Sequence, residues 1–100
     1  MAYKALYFDE VRQDIKEAKE WYRLQRNGLE KRFSLDLKTT IRQILDRPSV
    51  YAIRYKNIRI AHPDIFPYSI HFYIDDLANA VVITAIVHNS RNPAIPRARH

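Results

Sequence analysis

One hundred residues, 47% apolar and 12% aromatic, suffice for one packed domain spanning residues 1–100 and are too few for two. The absence of cysteine excludes disulfides and thiolate metal sites and fits a reducing compartment, and no run approaches the ~18 apolar residues of a membrane-spanning helix. A soluble, cytoplasmic protein is expected, whose 17 Lys and Arg against 11 Asp and Glu, a net +6, favour a polyanion or an acidic protein as partner.

YKALYF (3–8) alternates weakly and predicts a short strand. Asp9 is expected to cap a helix over DEVRQDIKEAKEWYRLQR, in which Val11, Ile15, Ala18, Tyr22 and Gln25 recur at three- and four-residue steps as one buried stripe. Asn27-Gly28 contains the only glycine of the chain, and glycine suits a helix C-terminal cap because positive φ costs it little. Leu29, Phe33, Leu37, Ile41, Ile44 and Leu45 form a second helical stripe, ended by Arg47-Pro48, and two helices joined so tightly lie antiparallel.

Beyond Pro48 the period changes to two. IRIAH (58–62) alternates, with Ile58 and Ile60 expected towards the helices and Arg59 away from them. FPYSIHFYID sets Phe66, Tyr68, Ile70, Phe72 and Ile74 on one face and Ser69, His71, Tyr73 and Asp75 on the other, so that Arg59, His71 and Tyr73 share a surface. Ala80–Val87 is apolar on both faces and is expected inside the sheet. The order predicts an α+β two-layer fold: strand, helix, helix, then three or four antiparallel strands, with the helix hairpin packed on one sheet face. A basic tail after Pro93 is expected to fray.

The segments DIKEAKEWYRLQRNGLEKRF, IRIA, FPYSIHFYI and VVITAIVHNSRNP together resemble the RelE/ParE toxins of bacterial type II toxin–antitoxin modules, a family that includes plasmid stabilisation proteins. The resemblance implies the same small strand–helix–helix–sheet fold and a growth-inhibiting toxin held silent by a cognate antitoxin. It implies one of two targets: RelE-like members cut mRNA in the ribosome, and ParE-like members block DNA gyrase.

RNA cleavage asks for a base at the 2′-hydroxyl, cations for the phosphorane and an acid for the leaving oxygen. Residues 51–100 offer Arg54, Lys56, Arg59 and Arg91 as cations and His71 or His88 for proton transfer, and no glutamate follows Glu30. Histidine is the side chain suited to proton transfer near neutrality, and His88 stands three residues before Arg91, although a histidine there also serves to cap a strand end. Arg91 can clamp a phosphate or pair with an acidic antitoxin residue. Arg54, Lys56, Arg59, His71, Tyr73, His88, Arg91 and Arg97 are thus candidates for partner or nucleic-acid contact, with Arg59, His88 and Arg91 catalytic only in a nuclease. Trp21 and Tyr22 read as packing, His62 has no evident partner, and four histidines at these spacings make no metal site, so no cofactor is expected. The glutamate-free second half and the close of the last strand resemble the gyrase-directed branch more than a nuclease. A degenerate, non-toxic member is the third reading, and the sequence leaves the oligomeric state open. In either active reading the antitoxin is expected to be acidic where it meets this basic chain.

Overall fold

The computed structural model describes residues 3–90. Strand β1 (Lys4–Tyr7) leads into helix α1 (Asp9–Gln25) and helix α2 (Leu29–Asp46). A short 3-10 turn (Pro48–Val50) is followed by β2 (Ile53–Tyr55), β3 (Ile58–Ala61), β4 (Tyr68–Asp75) and β5 (Ala80–His88). The sheet order is β1-β5-β4-β3-β2: β1 runs parallel to β5 and the other pairs are antiparallel. This is the expected α+β arrangement, with β5 interior.

Both helices bury the stripes their spacing predicts. Val11 and Tyr22 of α1 and Phe33, Leu37, Ile41 and Ile44 of α2 meet Ile70 and Phe72 of β4 and Val81, Ile83 and Ile86 of β5. Gln25, expected at the end of the first stripe, is exposed. Asp9 does not cap: Phe8 occupies the cap position, where its carbonyl accepts the N–H of Val11 at 3.0 Å, and Asp9 and Glu10 sit in the first turn, where carboxylates complement the positive end of the helix. Gly28 takes φ 94° as expected, but at the cap of α2, where the Glu30 carboxylate accepts its N–H at 3.0 Å; α1 closes two residues earlier, on Arg26.

A bulge in β5 brings isoleucines three residues apart to the same face. Ile70 pairs with Ile86 and Phe72 with Ile83, so three steps along β5 match two along β4 and Thr84 is the extra residue. Without it, Ile83 and Ile86 would point to opposite faces; with it, both enter the core. The hydroxyl of Thr84 donates to the carbonyl of His71 at 3.4 Å, beside the irregularity.

Phe33 is fully buried, with the rings of Tyr22, Phe66 and Tyr68 about it at 5.0, 5.3 and 5.1 Å. Phe33→Ala should cost about 3–5 kcal/mol in a urea unfolding experiment, since the cavity lies between both layers and neither closes over it. A cost below about 1 kcal/mol would show that these layers do not meet through Phe33.

Candidate functional site

Residues paired across neighbouring strands share a face, so the register assigns each candidate a side. Arg59 pairs with Phe72 and Ile60 with His71. Arg59 therefore lies on the helix side, and Ile58 and Ile60 lie with Tyr73 and His71 on the outer side, the reverse of the sequence expectation. The cause is visible at the guanidinium: Nη1 donates to the carbonyls of Tyr51 at 2.5 Å and Ser49 at 3.3 Å, so this arginine ties the 3-10 turn to the sheet. Alternation alone cannot detect this, because apolar residues occupy both faces.

On the outer side the Tyr55 hydroxyl lies 2.8 Å from Nδ1 of His71, which is only 2% exposed. Tyr73 is half-buried two residues further along β4, on the same face. Burial holds the Tyr55 phenol above its ordinary range; Tyr51 is raised by burial and then by the negative charge of Asp64, and Tyr7 by burial against a partial opposing effect of Arg12.

His88 pairs with Tyr68 at the far end of the sheet, its ring edge-on to the tyrosine ring at 5.1 Å. The backbone N–H of Ser90 donates to its Nδ1 at 3.3 Å. On a strand rising ~3.3 Å per residue, the three residues between the levels of His71 and Tyr68 make ~10 Å. Arg54 and Lys56 are exposed near the β2–β3 turn, which the register sets at the opposite end of the sheet, some ~20 Å from His88. Among the described residues, the cations and imidazoles named from sequence are therefore distributed over four places: Arg59 on the helix side, His71 on the outer side, His88 at the far end and Arg54 with Lys56 at the β2–β3 turn. Arg91 and Arg97 lie outside the described residues.

Three features escaped the sequence reading. His62 has partners: its Nδ1 lies 3.2 Å from the Tyr68 carbonyl and 3.3 Å from the Ser69 hydroxyl, which in turn donates to the Asn89 side-chain oxygen. Asp36 is a buried carboxylate bonded to the β3–β4 loop. Third, a groove of about 590 Å³ runs between α1 and α2, with Tyr7, Ile15, Leu37 and Ile41 among its lining and Arg12, Lys16, Lys19, Arg23 and Lys38 around them. Its two acids are engaged, Glu20 with Arg23 and Glu30 with the Gly28 N–H, so the groove presents net positive charge. The signal for it was present: residues 12, 16, 19 and 23 recur at helical spacing. Among the described residues no cluster of His, Asp and Glu could hold a metal ion, and no helix is long and apolar enough to cross a membrane.

The profile of the "ParE toxin of type II toxin-antitoxin system, parDE" family matches residues 6–93. The chain belongs to the ParE toxin family. Its fold is similar to that of a chain of the chromosomal ParDE toxin–antitoxin system from P. aeruginosa, with TM-score 0.73 and 12% identity over 87% of this chain and 96% of that one. It is also similar to the isolated RelE toxin of E. coli, with TM-score 0.58 and 12% identity over 98% of this chain and 96% of that one. No curated protein matches the chain in sequence. Neither likeness in fold distinguishes a ParE-like from a RelE-like action, so that distinction has to come from the side chains.

Two outcomes test this geometry. The three raised tyrosines keep their protons in the folded state, so stability is complete below pH 10.0 and declines above it as the unfolded chain ionises first. Phenolate absorbance of the folded protein should accordingly lag that of the unfolded protein above pH 10.0; coincident titrations would contradict the burial. Lys56, at the hairpin tip, is held at φ 49°, where a non-glycine residue is strained. Lys56→Gly should raise the unfolding free energy by about 1 kcal/mol, whereas a loss of stability would mean that the lysine side chain supports the hairpin.

Proposed function

We propose that the chain is the toxin of a type II toxin–antitoxin pair, silenced by a small cognate antitoxin in the cytoplasm, and that when released it arrests growth by ParE-like binding to DNA gyrase. The observation that carries the choice of target is the separation, among the described residues, of the cations from the imidazoles. In-line cleavage of RNA needs base, acid and phosphate-binding cations around one phosphate, within hydrogen-bond reach of it. Arg59 is committed to two backbone carbonyls on the helix side, and Arg54 and Lys56 stand ~20 Å from His88. A protein-binding surface has no such requirement. In this reading the rim formed by His62, His88 and Asn89 is the edge offered to gyrase.

The antitoxin has a docking place of matching chemistry in the α1–α2 groove. An amphipathic acidic helix would lay its apolar side over Ile15, Leu37 and Ile41 and its carboxylates against Lys16, Lys19 and Lys38. Exposed rim charges act mainly on encounter, so their contribution falls with added salt.

The alternative is a ribosome-dependent mRNA endoribonuclease, which His88 at the strand end favours; with Arg59 withdrawn it would depend on His88 and Arg91. Pulse labelling after induction separates the two. DNA synthesis should stop first, and purified protein should inhibit supercoiling by gyrase; a prompt stop in protein synthesis with intact replication would replace gyrase by the ribosome. Normal growth on induction without antitoxin would mark a non-toxic member. In the same system, Lys16→Glu with Lys19→Glu should slow antitoxin association about tenfold at low salt. An unchanged rate would move the antitoxin off the groove.

A further inference from the structure

Asp36 is the only buried carboxylate among the described residues, 5% exposed on α2 next to the apolar stripe of Phe33, Leu37 and Ile41. Desolvating a carboxylate is a costly way to pack a helix on a sheet, so the group needs compensating bonds. It finds them 29 and 30 residues away: the single oxygen Oδ2 accepts the N–H of Ile65 at 3.1 Å and of Phe66 at 2.7 Å. These bonds fix the loop between β3 and β4 to the helix layer, and Phe66 adds ring contacts to Tyr22 and Phe33 at 5.0 and 5.3 Å.

The rim is suspended from this loop. The carbonyl of Pro67, next to Phe66, accepts the N–H of Asn89 at 2.8 Å. Ser69 donates its one hydroxyl proton to the Asn89 side chain, so the contacts of His62 Nδ1 to the Tyr68 carbonyl and to Ser69 need a proton on Nδ1. Tyr68 in turn lies edge-on to His88. His62, His88 and Asn89 thus all take their positions from residues 66–69, and residues 65–66 take theirs from Asp36.

We propose that Asp36 is a positioning residue for the target-binding rim: from α2 it sets the β3–β4 loop and, through Pro67 and Asn89, the direction in which the chain leaves β5. This rests on the reading of that rim as the edge offered to gyrase. Asp36 touches no target in this scheme; it acts through the loop. The same helix lines the basic groove with Leu37 and Lys38, one and two residues after Asp36, so the groove and the rim share one element.

The test uses the full chain with Asp36→Ala, Asp36→Asn and Asp36→Glu, read by inhibition of gyrase supercoiling and by amide hydrogen exchange at Phe66, Asn89 and, as a core reference, Ile83. Asp36→Ala should weaken inhibition about tenfold and accelerate exchange at Phe66 and Asn89 about tenfold, with Ile83 still protected. Asp36→Asn should restore both, because one amide oxygen can accept the same two bonds. Unchanged exchange at Asn89, or unchanged inhibition in a folded Asp36→Ala protein, overturns the proposal. If Asp36→Ala loses protection at Ile83, Asp36→Glu is the deciding variant: it keeps the charge but lengthens the arm, so loss of inhibition with a protected core supports positioning and full inhibition overturns it. Should the wild-type protein leave gyrase untouched, the gyrase reading fails by itself, while exchange at Asn89 in the variants still decides whether Asp36 sets the rim.

Discussion

The pairing of Arg59 with Phe72 is the constraint from which the arrangement of this sheet follows. A strand has a period of two, so placing one arginine on the helix side sends Ile58 and Ile60 to the outer side with His71 and Tyr73, where Tyr55 also reaches. The arginine is stable there because the 3-10 turn brings two carbonyls to its guanidinium. Beside it, Tyr51 meets the ring of Phe72 at 5.6 Å. A basic residue that would otherwise face a partner becomes an internal brace. The outer side is left with hydroxyl, imidazole and aliphatic groups in place of a cationic cluster.

The helices were legible because their spacing is redundant: each stripe has five or six members, and the failure of Gln25 leaves the periodicity intact. The strands were legible as strands, including the interior place of β5. The two faces of β4 were legible too, with Ile70 and Phe72 in the core, but the orientation of β3 was not. Isoleucine, valine and alanine occupy both faces, so either register of β3 buries apolar residues, and the deciding bonds come from a turn eight to ten residues upstream. The β5 bulge was hidden for a related reason: a continuous apolar run looks the same whether or not one residue is extra. Asp36 and His62 were missed because their meaning depends on partners that only the fold brings near, while Arg91 and Arg97 fall outside the described residues.

A family of toxins that shares one scaffold but acts on unlike targets is intelligible in these terms. The α1–α2 layer and the sheet set the backbone, and chemistry is decided by which cations the register turns outward and which it binds internally. Here basic residues surround the groove on the helix hairpin, and His62 and His88 lie at the end of the sheet where β3 and β5 finish. The two regions have different chemistry, one suited to an acidic partner and the other to polar contacts at a shaped edge, and α2 runs beneath both.

The parallel pairing of β1 with β5 has a consequence for how this protein is made. Lys4 meets Ala80 and Tyr7 meets Ile83, so β1 must wait for a strand synthesised after both helices and after β2, β3 and β4. The helix hairpin can form early from local contacts, but the sheet cannot be completed until β5 has emerged. Until then Val81 and Ile83 are missing from the core and His88 and Asn89 from the rim. The growing chain therefore has no finished surface until β5 is made, and the sheet core and the rim are completed together.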